Sequence, residues 1–269
     1  GAGTRMRSPD LPKVCFPIDG IPAINRSIAT YRACGIRQPV VVVGASAEKV
    51  MQTVSREFSG ILYTYQPEQL GTANAARIGA QALKNMDGQE AVLIVAGDRL
   101  VQPQVLEQLF DRFNSQEADL AFITGPNPLE GEPAGRVIFH PDGSLLGNLE
   151  ARDLHQRQIL RWLRDCALQG LPVQRQGAME RIQAHFRGQK AATAFGVLWQ
   201  ILDGEGRAPT AEEILACIPP EKTGVTFQRN DSPAVTVSLE EIAQSQSANL
   251  SVYLVRLSRL EYVLEHLNR

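Results

Sequence analysis

From residue 36 onward, short β-branched runs alternate with amphipathic stretches. Pro39 to Gly44 holds four consecutive valines and reads as a buried strand, and Ala47 to Phe58 as a helix. The alternation repeats. Ile61 to Tyr65, Ala91 to Ala96 and Leu120 to Thr124 read as strands, and Thr72 to Lys84 and Pro103 to Asn114 as helices. Short strands with helices between them predict βαβ units, hence an α/β fold. Its central sheet should be mostly parallel, with right-handed crossovers and helices on both faces.

Near residue 131 the pattern changes. Arg136 to His140, then Pro141-Asp142-Gly143, then Ser144 to Glu150 predicts a hairpin, since Asp-Gly between two strand-like runs is a strong turn signal. Residues 154 to 188 look helical, with Trp162 and Leu163 on the apolar side, and the stretch of about 160–190 reads as a helical insertion. Ala194 to Leu202 fits a strand or a helix. A short helix is expected over Thr210 to Cys217, where Thr210 and Glu213 have capping-box spacing. Leu250, Tyr253, Leu257, Leu260, Leu264 and Leu267 fall three and four apart alternately, which predicts one long C-terminal helix. The expected organisation is therefore a domain over 1–248 and a helix over 249–269. That helix packs on its own domain or, as the sharper alternative, links or associates chains into a homo-oligomer.

Composition narrows the function classes. The 269 residues are 43% hydrophobic and 21% charged, ordinary values for a globular protein with a sizeable core. A net charge of -2 argues against a general nucleic-acid binder but leaves room for a local basic pocket. No apolar run of about 18 residues exists, so no membrane span is expected. No charged-then-apolar leader opens the sequence, and Cys15, Cys34, Cys166 and Cys217 form no CxxC, which fits a reducing cytoplasm. His140, His155, His185 and His266 have no ligand spacing, and neither a Ser-His-Asp order nor HExxH occurs.

The first residues carry the most chemistry: Gly1-Ala2-Gly3-Thr4-Arg5-Met6, with Pro12-Lys13 following. Glycines let backbone N–H groups turn inward around phosphate oxygens. Arg5 offers a planar multi-donor grip on phosphate and Lys13 a point charge. Without that pattern the same stretch would read as an ordinary basic terminus. Gln66 follows a predicted strand, and its carboxamide has both donor and acceptor for the polar edge of a base. Gly71 and Thr72 stand at a helix start, where N–H groups are free. A plain capped loop is the alternative there. Asp98 lies just past the carboxyl end of a buried strand, where open α/β sheets place ligands. A carboxylate there suits Mg²⁺, which prefers oxygen ligands and keeps waters and substrate phosphates.

These segments resemble a known family. The opening GAGTRM with its later Pro-Lys is similar to the signature loop of the sugar-nucleotide pyrophosphorylases, nucleotidyltransferases of the Rossmann-like (GT-A-like) α/β fold. Within that family the stretch resembles in particular the uridylyltransferase domain of bifunctional N-acetylglucosamine-1-phosphate uridylyltransferase/glucosamine-1-phosphate acetyltransferase. Gln66-Pro67-Glu68-Gln69-Leu70-Gly71-Thr72-Ala73 resembles its nucleotide-base loop, and Val92-Leu93-Ile94-Val95-Ala96-Gly97-Asp98 its strand ending in the metal aspartate. Gly135-Arg136-Val137-Ile138 with Leu149-Glu150-Ala151-Arg152-Asp153 resembles its sugar-side hairpin. The resemblance covers roughly residues 1–159.

It implies a transfer enzyme that joins UTP to a sugar 1-phosphate, N-acetylglucosamine 1-phosphate first among them. By this resemblance Gly1, Ala2, Gly3, Thr4 and Lys13 hold the nucleotide phosphates, and Arg5 stabilises the leaving pyrophosphate. Gln66, Gly71 and Thr72 contact uracil, Gly97, Gly135 and Glu150 the sugar, and Asp98 binds Mg²⁺. Asn249 is the candidate second metal ligand, although aligning the final helix without gaps puts Val252 there; Asn249 could equally cap that helix. No nucleic acid or membrane partner is implied.

The sequence also departs from the family. It starts within the signature, whose preceding strand and Leu-Ala-Ala-Gly are not in it, so either the folded protein is longer or another segment takes that strand's place. The stretch after Ile159 is helical where the family has an Asn-Thr-Gly strand; the nearest equivalent is Ala194-Phe195-Gly196-Val197-Leu198. No hexapeptide repeat follows, so the acetyltransferase activity is not expected. Two other functions stay open: a cytidylyl- or guanylyltransferase using another phosphorylated acceptor, and a non-catalytic nucleotide-sugar-binding domain of a larger protein.

Overall fold

Strand and helix alternate as the valine run and its neighbours predict in a computed structural model of the chain, which describes residues 11–68, 71–83, 85, 90–127, 135–204, 208–228 and 233–265. Two compact units result: one from the described residues up to Ile123 and from Ser251 onward, the other Thr124–Leu250. In chain order the elements begin with a 3-10 turn, Lys13–Cys15, then β1 (Pro17–Ile18), β2 (Ile21–Pro22), α1 (Ala23–Ala33), β3 (Val40–Val43), α2 (Ala47–Ser55) and β4 (Leu62–Tyr65). They continue with α3 (Thr72–Ala80), β5 (Ala91–Val95), α4 (Pro103–Ser115) and β6 (Leu120–Pro126). The second unit then carries β7 (Arg136–Phe139), β8 (Leu145–Leu149), α5 (Ala151–Leu168), α6 (Arg175–Gln183), α7 (Gln189–Phe195) and α8 (Val197–Asp203). It ends with α9 (Ala211–Cys217), β9 (Val225–Phe227), β10 (Val235–Val237) and α10 (Leu239–Gln244). The chain returns to the first unit along β11 (Ser247–Arg256) and closes with α11 (Leu257–Glu265).

In the first unit β3 and β4 pair in parallel, Val40 opposite Leu62 and Val43 opposite Tyr65. β5 pairs instead with the late strand β11, antiparallel, from Val95–Val252 to Ala91–Arg256. β5 is apolar at every position, as a strand covered on both faces needs, and its side chains alternate between those faces. Val92 and Ile94 pack with Ala76, Ala80, Tyr253, Val255 and Leu260 on one face. Leu93 and Val95 pack with Leu109, Phe113, Val252 and Leu254 on the other. A second core gathers Cys15, Ile24, Ile28, Val43, Val50 and Val54. Ile24 and Ile28, like Val50 and Val54, sit four apart on one helix face. Pro103 opens α4 at a position where its missing N–H costs nothing. At Asp19-Gly20 both φ angles are positive, 49° and 80°, the two-residue turn that matches hairpin twist.

The fold is thus mixed α/β, and its described strand pairs do not make a clearly parallel sheet. Among the described strand pairs β3–β4 is parallel, while β1–β2, β5–β11, β7–β11, β7–β8 and β9–β10 are antiparallel. Hydrophobic period reveals that a segment is a strand; it carries no direction for the partner. The C-terminal expectation needs the same correction. Residues 247–256 are strand, and the helix starts only at Leu257. Ala248, Val252, Leu254 and Val255 are all buried, so apolar residues occupy both faces and mimic a three-four stripe. Leu264 and Leu267 have no described side chains.

The second unit has a hairpin part and a helical part. β7 and β8 turn at Asp142-Gly143, where Gly143 has φ 82° and Asp142 Oδ1 accepts from Ser144 N at 2.8 Å. Gly147 on β8 leaves space that the Phe227 ring fills; a Cβ there would clash with the ring. α5 to α9 build their own core around Leu163, Ile182, Phe186, Leu202 and Ile214. The helical stretch predicted over 154–188 is two helices, broken where Gly170 takes φ 68° ahead of Pro172. The ambiguous Ala194 to Leu202 is also two helices, meeting at Gly196 with φ 52°. α9 has the expected box: Glu213 N donates to Thr210 Oγ1 at 3.2 Å and Thr210 N to Glu213 Oε2 at 2.8 Å.

His155 on α5 stacks on His185, ring centroids 3.8 Å apart. Burial, then the charges of His185 and Arg136, push the His155 imidazole below its ordinary value. The unfolded chain therefore takes up that proton first as pH falls. Stability supported by neutral His155 is complete above about pH 6.5 and is lost as pH falls through the folded value. Thermal melts should show a smaller drop from pH 7.5 to 5.5 in His155→Gln than in the wild type. An equal drop in both would remove His155 as its source.

Candidate active site

The first unit gathers chemistry-bearing residues around one end of its strands. The Lys13–Cys15 turn is closed by Cys15 N donating to Pro12 O at 2.8 Å. Cys15 is buried against Val43, the last residue of β3. Val14 lies over Gly97, just past β5, where a Cβ would meet its Cγ1 at 3.3 Å. At the opposite end, Arg37 before β3 pairs with Glu90 before β5 at 2.6 Å. β3 and β5 therefore run the same way, and the turn lies beyond the carboxyl ends of both, where open α/β sheets bind ligands.

This packing brings Lys13 onto Asp98. Lys13 Nζ donates to Asp98 Oδ2 at 2.8 Å across 85 residues of sequence. The two side chains keep 53% and 36% of their surface exposed, so both remain open to a ligand. Partial burial pushes the Asp98 carboxyl up. The Lys13 hydrogen bond and charge, the Asp98 backbone N–H and the Arg99 charge outweigh it and hold the group below the usual carboxylate range. Asp98 is accordingly an ionised oxygen donor that already holds a cation. The loop carrying it is fixed from α1: Ser27 Oγ and Tyr31 OH each donate to Arg99 O at 3.1 Å, and Arg99 N donates to Ala96 O at 2.9 Å.

Gln66 follows β4 and is anchored by its N–H to Val43 O at 2.8 Å. Its Nε2 donates to Asn74 Oδ1 at 2.9 Å and points at Gly71 O at 3.5 Å. Gly71 begins α3 with φ 95° and ψ -178°, a conformation open to glycine alone. Thr72, the first helical residue, is exposed.

The second unit assembles the sugar-side candidates. Gly135 and Glu150 flank the open end of the β7–β8 hairpin, where Arg136 pairs with Leu149. A Cβ on Gly135 would lie 3.3 Å from Asn148 Oδ1 and 3.5 Å from Glu150 Oε1. Asn148 Nδ2 donates to Glu150 Oε1 at 3.4 Å, and Asn249 N donates to Gly135 O at 3.0 Å. Asn249 is a buried residue of β11, eight positions before α11, so it does not cap the final helix. Val252, the gap-free alternative, is buried in the sheet opposite Val95.

Gly1, Ala2, Gly3, Thr4 and Arg5 lie outside the described residues. Sequence reasoning missed Ser27, Tyr31, Asn74 and Asn148. Only Asn74 carried a signal: Asn inside a predicted helix competes with the helix backbone and asks for a side-chain partner. Among the described residues no group of three or more His, Cys, Asp or Glu could hold a metal. A divalent cation at Asp98 would complete its shell with substrate and water oxygens, as Mg²⁺ commonly does.

Comparison with known proteins matches residues 1–173 to the family described as MobA-like NTP transferase domain. The chain is 36% identical over 159 residues to the bifunctional protein GlmU of Rhizorhabdus wittichii, covering 59% of this chain and 34% of that protein. It is 38% identical over 156 residues to the bifunctional protein GlmU of Lactococcus lactis subsp. lactis, covering 57% and 32%. The matched stretch thus spans about a third of the length of these relatives. The crystal structure of HddC from Yersinia pseudotuberculosis aligns with a TM-score of 0.43 at 17% identity, covering 54% of this chain and 63% of that one. The match over 1–173 takes in the opening loop, the Gln66 loop and the Asp98 strand together, and on it the chain belongs to the MobA-like NTP transferase family of nucleotidyltransferases.

Proposed function

We propose that the chain is a sugar-1-phosphate uridylyltransferase of Rossmann-like, GT-A-like fold. It joins UTP to a sugar 1-phosphate, N-acetylglucosamine 1-phosphate first among them, to give a UDP-sugar and pyrophosphate in the cytoplasm, where UTP is made. The observation that carries the reading is the Lys13–Asp98 pair at 2.8 Å beyond the carboxyl end of β5, in the same unit as Gln66 and Gly71.

In this reaction a phosphate oxygen of the acceptor attacks the α-phosphorus of UTP, and the bond to the bridging oxygen breaks as pyrophosphate leaves. Two polyanions must be held together and their charge neutralised; little covalent help is needed. Lys13 supplies a fixed positive charge for the α-phosphate and Arg5 one for the departing pyrophosphate. Gly1 to Thr4 supply backbone N–H groups for the other phosphates. Gln66, Gly71 and Thr72 take the base. Gly135 and Glu150 take the sugar, Glu150 by accepting from hydroxyl or acetamido N–H groups. Asp98 would hold Mg²⁺, which when bound neutralises phosphate charge and orients the reacting groups. The ionised, partly exposed Asp98 carboxylate fits that ion.

Pyrophosphate release from the full chain with UTP, Mg²⁺ and a set of sugar 1-phosphates tests the proposal. Release with UTP and an N-acetylhexosamine 1-phosphate is the expected result. Release with CTP or GTP but none with UTP would overturn the uridylyl assignment. UTP binding without release for any acceptor would make the chain a nucleotide-sugar-binding domain.

A further inference from the structure

The Gln66 side chain has two N–H donors on Nε2 and one oxygen, Oε1. Both donors face acceptors of the protein: Asn74 Oδ1 at 2.9 Å and the Gly71 carbonyl at 3.5 Å. The Gly71 carbonyl accepts only, which identifies Nε2 as the end facing α3, but at 3.5 Å it holds that end weakly; the 2.9 Å bond to Asn74 is what keeps it there. Oε1 is left pointing away, with no hydrogen-bond donor among the described residues. Gln66 is half-buried, as is Asn74, so the contact is shielded from competing water. The amide is held at its base as well, through Gln66 N to Val43 O at 2.8 Å.

We propose that Asn74 is a positioning residue for nucleobase choice: by taking Nε2, it turns Gln66 into a pure acceptor that selects bases with a ring N–H. The inference rests on the reading above that Gln66 faces the base. Uracil carries N3–H and guanine N1–H, each of which can donate to Oε1. The same ring position of cytosine is a bare nitrogen lone pair, which would meet Oε1 acceptor to acceptor. An unrestrained Gln66 could rotate its amide and offer N–H to cytosine instead, so the selectivity lies in Asn74 as much as in Gln66. A buried polar site discriminates chiefly by what it leaves unpaired.

The test is calorimetric binding of UTP and of CTP, with Mg²⁺, to the full chain and its variants, alongside thermal melts. UTP and CTP are the same size, so the ratio of their dissociation constants reports polarity alone. Asn74→Leu keeps the volume and removes the acceptor; it should shrink the UTP preference about tenfold, mainly by tighter CTP binding. Asn74→Asp keeps an acceptor for Nε2 and should retain the wild-type ratio, a rescue that a merely structural role would not produce. Gln66→Leu should abolish the preference. If Asn74→Leu fails to fold, Asn74→Ala reads the same ratio. Loss of preference in Gln66→Leu with a wild-type ratio in Asn74→Leu overturns the role of Asn74 and leaves the Gln66 reading standing. An unchanged ratio in Gln66→Leu, or no nucleotide binding by the wild type, overturns both.

Discussion

Lys13→Ala is expected to lower the rate of pyrophosphate release by about 10²–10³-fold, the usual effect of removing one preorganised charge from a site of developing negative charge. The fold should barely notice. Lys13 and Asp98 are 53% and 36% exposed, and ion pairs this open contribute about 0–1 kcal/mol to stability. The turn is held instead by Cys15 in the core and by its own backbone hydrogen bond to Pro12. A melting temperature close to that of the wild type beside a collapsed turnover is therefore the pattern to find. Lys13→Arg should not restore the rate, because a planar fork does not replace a compact point charge. Arg5→Ala is expected to lose turnover on the same scale from the leaving-group side. Wild-type-like rates in both Lys13→Ala and Arg5→Ala would end the assignment of a phosphate site at this turn.

Phe186→Ala should cost the second unit about 3–5 kcal/mol of stability, the largest effect expected of a single core truncation. Phe186 is 1% exposed and is among the largest fully buried side chains. Its ring meets Phe195 edge to face, centroids 5.2 Å apart at 90°, a contact that adds about 0.5–1.5 kcal/mol beyond area burial. Leu163, Ile182 and Leu202 of the same core belong to three different helices, so the cavity closes only if whole helices shift. Urea titration followed by far-UV circular dichroism reads the loss as a lower midpoint. Phe186→Leu should lose markedly less, since it leaves most of the volume filled. A Phe186→Ala midpoint within error of the wild type would mean that these helices do not share one core.

Much of the candidate site is legible in the sequence as residue chemistry. Glycine-rich and Gln66-type loops, and a carboxylate ending a buried strand, announce themselves within a few residues. The chemistry they need is local: free N–H groups, a hard oxygen, a fixed cation. The partner of Asp98 was not legible, because Lys13 lies 85 residues away and exposed ion pairs leave no mark on hydrophobic pattern. Nor was the lock on Gln66, because the orientation of an amide depends on what faces each of its ends. The Ser27 and Tyr31 contacts to Arg99 were hidden too, since polar residues on a helix look alike whether they face water or a loop.

What the sequence alone determined is the succession of strands and helices over residues 39–124, the Asp142-Gly143 hairpin and the Thr210 cap, and the residue types proposed to meet phosphate, base and metal. Each is decided by backbone preference or residue chemistry inside a window of a few positions. Only the tertiary structure decided that residues 247–256 form a strand, that this strand runs antiparallel to β5, and that a lysine near the start stands on Asp98. These are settled by which distant surfaces bury each other best once the chain closes on itself, and no stretch of neighbouring residues holds that information.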